Sequence, residues 1–275
     1  MKLAHSSAKS PEKIGIIGVG RMGSALVRGL LNAKITKGSL LASDHDKEKS
    51  KLLCRDTGIK MASDNRELVK ESNIIIIAVK PKDVQKVLDE ISDTIDEKLI
   101  ISTVAGVPIA RFERRLKKAR VVRIMPNVLC SVGEGAIAFS SGSRVKRGDI
   151  WRAKELLDKL GTALELPEDM LDAVTGLSGS GPAFYSLVIK AMVDAGVEEG
   201  LPKDVALKLA AQTAEGVGKV ILETCMSPEE LMEMVHSPGG TTEAGLKKLE
   251  EMAATKAFKE AVHAAVKRAK ELKQS

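Results

Sequence analysis

Ile14-Gly15-Ile16-Ile17-Gly18-Val19-Gly20-Arg21-Met22-Gly23 is the stretch that decides the architecture of this chain. A run of β-formers meets three glycines spaced G-x-G-x-x-G. An apolar helical pattern follows at once through Leu26, Val27, Leu30 and Leu31. The order is strand, tight turn, helix. Gly18 permits the turn, Gly20 lets a pyrophosphate approach the backbone, and Gly23 lets the helix pack close to the strand. The helix start offers N–H groups and a positive dipole end to phosphates. A glycine triplet alone also serves ordinary turns. Here both flanks carry the right pattern, so a dinucleotide site is expected.

Outward from this turn, strand and helix alternate. Leu40 to Ser43 is a second strand, ending about 20 residues after the glycines, where an acidic residue often holds an adenosine ribose. The residues there are Ser43-Asp44-His45-Asp46-Lys47. Asp44 can accept from a ribose hydroxyl, whereas Ser43, His45 and Lys47 can surround a 2′-phosphate, so NAD and NADP both stay open. They also suit a polar turn capping the helix that starts near Lys47. Lys60 to Ala62 is a weak third strand, and Ser63-Asp64-Asn65 supplies a helix cap. Ile74 to Val79 is apolar on both faces, as a central parallel strand should be. Lys80-Pro81 stops it, at the strand end where ligands sit in open α/β sheets. Further strands are expected over 99–102, 121–124, 135–139 and 162–166, with a basic helix over 111–118 and another helix over 146–160.

Beyond Pro167 no strand pattern remains. Helices are expected over 182–199, 202–224, 228–235, 242–251 and 256–273. Pro182 and Pro202 suit first helical turns, and Ser227 with Glu230 has capping-box spacing. The fold class is therefore α/β: an N-terminal Rossmann-type doubly wound sheet joined to an all-α C-terminal domain. The expected division is a loose extension over 1–12, a dinucleotide-binding domain over 13–167, and a helical substrate and dimerisation domain over 168–275. The helices are rich in Ala and Gly, and one two-helix face is a candidate inter-subunit surface.

Composition narrows the function. The 275 residues suffice for two domains with cores. The longest apolar run, Ile74 to Val79, is too short to span a bilayer, and residues 1–13 are polar without a secretory apolar segment. The net charge of +6 is an ordinary lysine-rich surface or a mild field for anionic ligands. Aromatics at 2% leave few base-stacking platforms, so nucleic acid is not an expected partner. Cys54, Cys130 and Cys225 are far apart, and the four histidines are scattered, which gives no metal box and no disulfide framework. A reducing cytoplasm is the expected compartment.

Two glycine-rich stretches open helices in the second half: Ser178-Gly179-Ser180-Gly181-Pro182 and Ser237-Pro238-Gly239-Gly240-Thr241-Thr242. Small residues expose backbone N–H groups and the hydroxyls add donors. The second stretch can receive a substrate carboxylate, or can be an ordinary helix cap. No Ser/His/Asp set or other strong acid–base constellation accompanies it. That fits a reaction in which nicotinamide carries the chemistry and the protein orients the partners.

Taken together, the chain resembles pyrroline-5-carboxylate reductase over nearly its whole length. The resembling pieces are IGIIGVGRMGSAL, AVKP at 78–81, RIMPN at 123–127, GEGAIAFS from Gly133, LDAVTGLSGSGPAF at 171–184 and VHSPGGTTEAGL at 235–246. The resemblance implies reduction of (S)-1-pyrroline-5-carboxylate to L-proline with NAD(P)H, the last step of proline biosynthesis. It implies that Ile17, Gly18, Val19, Gly20, Arg21 and Met22, with Gly23 behind them, cradle the pyrophosphate. Ser43 would meet the 2′-phosphate, with Asp44 beside it as the candidate for a ribose hydroxyl. Asn65 and Ala78, Val79, Lys80 and Pro81 would contact the nucleoside parts, and Thr103, Val104, Ala105 and Glu168 would lie round the cofactor and pocket. Ser237, Gly239, Gly240, Thr241 and Thr242 would hold the substrate, with Thr242 the candidate catalytic donor near the ring nitrogen. A pocket between domains and a homodimer or larger homo-oligomer are implied as well. NADPH is the expected cofactor, with NADH an alternative; no metal and no membrane are expected. Three departures stand out: Arg21 where Asn or Gln is usual, His236 where a small hydroxyl residue is common, and Val128-Leu129 in place of Thr-Pro. The rival readings are another NADP-dependent imine or coenzyme reductase of this architecture and a non-catalytic dinucleotide-binding regulator.

Overall fold

The computed structural model describes residues 12–274. The expected loose extension over 1–12 lies outside them except for Glu12, whose carboxylate pairs with Arg152.

Eight strands form one sheet: β1 (Ile14–Ile17), β2 (Leu40–Ser43), β3 (Lys60–Met61), β4 (Ile74–Ile77), β5 (Leu99–Ser102), β6 (Arg120–Met125), β7 (Gly135–Ser141) and β8 (Gly161–Glu165). Their lateral order is β3-β2-β1-β4-β5-β6-β7-β8. The first six are parallel, in the order that characterises the Rossmann fold, and the order reverses between β1 and β4. Strand β7 runs antiparallel to β6, and β8 parallel to β7. The reason is chain length. Residues 126–134 are too few for the crossover of about a dozen or more residues that a parallel neighbour needs. The β7–β8 link contains a helix and can make that crossover.

The helices of this part are α1 (Arg21–Asn32), α2 (Lys47–Thr57), α3 (Asn65–Glu71), α4 (Val84–Ile91), α5 (Ile109–Arg115) and α6 (Arg147–Asp158). Side chains alternate across the strands, so the sheet buries two cores. Ile14, Ile16, Ile74 and Ile76 pack with Leu26, Val27 and Leu30 of α1 and Leu156 and Leu157 of α6. Ile17, Ile75 and Ile77 face the other way, against Leu68 and Val69 of α3, Leu88 and Ile91 of α4 and Phe112 of α5. Helix ends are closed by specific groups. Asp46 accepts from the Glu48 and Lys49 N–H groups at the start of α2. The Lys49 side chain beside it, with those N–H bonds, holds the Asp46 carboxyl below its usual range. Lys98 Nζ donates to the Ser72 carbonyl at 2.7 Å and to those of Val69 and Lys70, gathering the carbonyls that α3 leaves unpaired, and burial pushes its pKa down.

The chain divides into two compact units, one reaching Gly179 and including the end from Ala265, the other Ser180–Ala264. The strands stop at Glu165, near the expected boundary at 167/168, but the first unit runs on. It includes the short helix α7 (Leu171–Val174) and the wide turn Thr175–Gly179. Leu171 is fully buried against Met125 and Ala138, which ties this segment to the sheet. The chain end also belongs here: Lys273 pairs with Asp172 at 3.7 Å.

The second unit contains α8 (Gly181–Glu198), α9 (Lys203–Thr224), α10 (Pro228–Met234), α11 (Thr241–Glu251) and the beginning of α12 (Ala254–Gln274). Ser227 and Glu230 form the expected capping box at the start of α10. Helices α8 and α9 pack through Ile189, Val193, Ala206 and Ala210. Among the described residues no helix is long and apolar enough to cross a membrane.

Candidate functional site

The glycine turn sits at the carboxyl end of β1, where the strand order reverses. Gly18 has φ +93°, a left-handed backbone, and a Cβ added there would lie 2.8 Å from the Ala78 carbonyl oxygen. Gly23 lies so close to the turn that a Cβ would stand 1.9 Å from the Gly18 oxygen. Gly20 differs: a Cβ there would meet nothing within 4 Å. Gly20 is also the N-cap of α1 and supplies no side-chain cap, so the helix start faces open space with its N–H groups. The three glycines thus divide into turn, room and close packing.

In front of the turn lies a cleft of about 550 Å³. Its walls bring together Ile17, Gly18 and Gly20 from the turn, Ser43 and Asp44 from the end of β2, Asn65 at the start of α3, and Ala78, Val79 and Lys80 after β4. His45, Lys47, Lys49, Ser63, Asp64, Lys82, Asp83, Lys86, Val87 and Glu90 complete it. Of the lysines, Lys49 pairs with Asp46 at 2.8 Å; Lys47, Lys80, Lys82 and Lys86 pair with no carboxylate among the described residues. The cleft wall thus carries four lysines without a carboxylate partner among the described residues, beside the carboxylates of Asp44, Asp64, Asp83 and Glu90. Asp44 also serves the fold. Its carboxylate accepts from the Val19 N–H at 2.7 Å and the Asp46 N–H at 2.8 Å, so it anchors the glycine turn, and each oxygen keeps a lone pair for a further donor in the cleft. Ser43 Oγ donates to Asn65 Oδ1 at 2.6 Å, and Asn65 Nδ2 donates to Glu90 Oε2 at 2.8 Å.

The remaining candidates of this unit stand outside the cleft walls. Val19 is buried, Arg21 and Met22 begin α1, and Gly23 follows inside it. Pro81 opens a short turn after Lys80. Thr103 donates to the Ile77 carbonyl through its N–H at 3.0 Å, Val104 turns into the core, and Ala105 is half-buried. Glu168 Oε1 accepts from the Ile109 N–H at 2.8 Å and from Arg123 Nη1 at 3.1 Å. Arg123 is 1% exposed, so Glu168 is the counter-charge of a buried guanidinium, and removing it leaves that charge uncompensated.

In the helical unit, the stretch from Ser237 to Thr242 makes a turn into α11. Gly239 has φ +71° and Gly240 is the N-cap. Two of its N–H groups are taken: Gly240 donates to the Ser237 carbonyl at 2.9 Å, and Gly239 donates to Glu243 Oε2 at 2.5 Å. The N–H groups of Thr241 and Thr242 begin the helix, and Thr242 is half-buried. Glu243 was not among the residues singled out in the sequence. Its position three residues after the N-cap, where acidic residues reach back to the turn, is the signal that reveals it.

Known proteins place this arrangement. Residues 168–272 match the family described as pyrroline-5-carboxylate reductase dimerisation, and residues 13–106 match that described as NADP oxidoreductase coenzyme F420-dependent. A pyrroline-5-carboxylate reductase of Methanosarcina acetivorans is 47% identical over 264 residues, covering 95% of this chain and 98% of the relative. The chain belongs to the pyrroline-5-carboxylate reductase family. The relative from Arabidopsis thaliana is 36% identical, covering 96% of this chain and 96% of the relative. Among solved structures, Plasmodium falciparum pyrroline carboxylate reductase with NADP bound matches with a TM-score of 0.86 at 32% identity, covering 95% of this chain and 98% of that one.

Two of the reductase-like pieces meet in space: Asn127 of RIMPN donates through Nδ2 to the Ser178 carbonyl of GLSGSG at 3.1 Å. The departures from the reductase pattern lie at the surface. Arg21 is exposed at the start of α1, His236 is exposed after α10, and Val128 and Leu129 are 47% and 40% exposed.

Proposed function

We propose that this chain reduces (S)-1-pyrroline-5-carboxylate to L-proline with NAD(P)H, the last step of proline biosynthesis. What carries the reading is the likeness to the Methanosarcina acetivorans reductase, 47% identical over 95% of this chain. The turn fits a dinucleotide on its own terms. Gly20 leaves room beside a helix start without a side-chain cap, and the cleft in front of it carries Lys47, Lys80, Lys82 and Lys86 in its wall. NADPH is the proposed cofactor, with NADH also accepted, and its bound nicotinamide supplies the hydride. The residues carried over from the family keep their roles: 17–23 for the pyrophosphate, Ser43 for the 2′-phosphate end, and Asn65, 78–81, 103–105 and Glu168 round the cofactor.

The chain's own part in the chemistry is to bind, orient and donate. The Thr241 and Thr242 N–H groups at the positive end of α11 suit the substrate carboxylate. Holding that carboxylate fixes the ring, a proximity effect. Reduction also needs one proton at the ring nitrogen. The Thr242 hydroxyl is the proposed donor there, with an already protonated imine or a water as the competing source, since threonine is a weak acid.

We infer a homodimer or larger homo-oligomer. Within Ser180–Ala264 the buried apolar residues are Val193, Ala206 and Ala210, too few to hold a helical unit together alone. A cytoplasmic location belongs to the same reading, in keeping with Cys54, Cys130 and Cys225 as free thiols. One assay decides the function: loss of NAD(P)H absorbance with and without pyrroline-5-carboxylate. Oxidation dependent on that substrate is expected. Cofactor binding with no turnover would favour a regulator, and turnover of other imines alone would favour a different reductase.

A further inference from the structure

The geometry points to Glu90 as the residue that limits how strongly the cleft prefers NADPH over NADH, acting through Asn65 on Ser43. The inference rests on the dinucleotide reading of the cleft. A carboxylate accepts and cannot donate. With Glu90 Oε2 2.8 Å from the Asn65 amide, the Asn65 NH₂ must face Glu90 and its carbonyl must face Ser43. The Ser43 hydroxyl lies 2.6 Å from that carbonyl and gives it its only proton. What Ser43 has left for a ligand is lone pairs. A ribose 2′-hydroxyl can donate to them. A 2′-phosphate is an acceptor only, and meets an acceptor.

Glu90 is itself part of the cleft wall, so its charge also faces the anionic group directly. It is held in place from behind, because Arg66 Nη1 donates to the Glu90 carbonyl at 3.3 Å and Arg66 Nη2 pairs with Asp93 at 2.7 Å. Lys47, Lys82 and Lys86 in the same wall pull the other way. The cleft thus combines cations that favour the phosphate with a three-residue relay that favours the hydroxyl. Glu90 fixes the direction of that relay. Glu90→Gln keeps length and shape but removes the charge, and lets the amide pair reverse. Asn65 can then present NH₂ to Ser43, which frees the Ser43 proton for the phosphate.

The test is binding, measured by calorimetry on the full chain. NADPH and NADH are titrated separately, and adenosine 2′,5′-bisphosphate is compared with 5′-AMP to isolate the adenosine end. For Glu90→Gln the ratio of Kd for NADH to Kd for NADPH should rise roughly tenfold, the scale of one hydrogen bond to a charged group, and the bisphosphate should gain likewise over 5′-AMP. Thermal stability should hold. Glu90→Gln combined with Ser43→Ala should give back most of the gain, because no hydroxyl remains to be freed. An unchanged ratio in Glu90→Gln, with both cofactors still binding, overturns the inference and leaves the cleft reading intact. A gain that survives fully in the double variant also overturns it, since Glu90 would then act by charge alone. If the wild-type chain binds neither dinucleotide, the cleft reading itself falls and this inference with it.

Discussion

The sheet unit buries its apolar side chains on both faces, whereas the helices of Ser180–Ala264 leave theirs in contact with solvent. Ile16, Ile17, Ile75 and Ile77 are at most 1% exposed. Tyr185, Leu187 and Leu222 are 72%, 63% and 75% exposed on α8 and α9. Burying one such side chain is worth about 1.5–3 kcal/mol. The first unit has collected that energy within itself, and the second has collected far less of it within Ser180–Ala264. Cofactor binding should therefore be a property of the sheet unit's own geometry, and the stability of the helices a property of the assembly.

The largest effect should come from charging the helical surface. Val205 and Leu209 lie one turn apart on α9, 40% and 55% exposed. The double variant Val205→Asp, Leu209→Asp should reduce the mass measured by light scattering to that of a single chain, with helical circular dichroism falling alongside. NADPH binding should persist, since the cleft is built within the other unit. A single chain of full helicity would show that the helices stand by themselves, and an unchanged mass would place the interface on another face.

Within the sheet unit, two glycines only three residues apart should fail in opposite ways. A Cβ at Gly23 meets the Gly18 carbonyl at 1.9 Å, so Gly23→Ala must push α1 off the turn. Overpacking of this kind costs about 1–3 kcal/mol, and Tm should drop by several degrees. Gly20 has open space around it, so Gly20→Val should leave Tm near wild type while calorimetric NADPH binding falls below detection. Equal behaviour of the two variants would erase the distinction between packing glycine and ligand glycine.

Much of this was legible because periodicity and glycine spacing act locally. The continuous apolar run of Ile74 to Ile77 and the G-x-G-x-x-G turn need no distant partner to be recognised, and the helices from α8 onward fall within one or two residues of their expected ends, whereas α7 is not among the expected helices. What stayed hidden depends on contacts across the chain. The antiparallel turn of β7 follows from the short link at 126–134. The first unit extends to Gly179 because Leu171 finds Met125 and Ala138. Asp44 reads only as a ribose candidate in the sequence; its hold on the Val19 and Asp46 N–H groups, which anchors the glycine turn, shows only in the structure. Glu90 carries no motif at all, and only its bond to Asn65, 25 residues earlier, gives it a role.

The smallest effects should arise at the start of α11, where the helical unit has its own candidate for anion binding. Thr242→Val keeps shape and removes one donor. Losing a hydrogen bond to a charged group costs roughly 1.5–3 kcal/mol, or about tenfold or more in kcat/KM. A rise in KM alone would mean that the hydroxyl serves the carboxylate in ground and transition states alike; a fall in kcat as well would mean that it acts on the ring nitrogen during reduction. Glu243→Gln tests the neighbouring charge. Glu243 sits in the first turn of α11 with its carboxylate on the Gly239 N–H, so it already offsets the positive end of the helix that the substrate carboxylate would use. Glutamine can still accept from Gly239, so the turn keeps its cap while the charge is lost. KM for pyrroline-5-carboxylate should then fall by roughly threefold, the scale of one screened charge at a helix end, with kcat and the Kd for NADPH unchanged. The decrease should shrink as ionic strength is raised, because an exposed charge is screened and a steric effect is not. A KM that rises instead would show that Glu243 shapes the turn for its substrate, and that the free N–H groups at Thr241 and Thr242 need that carboxylate in place.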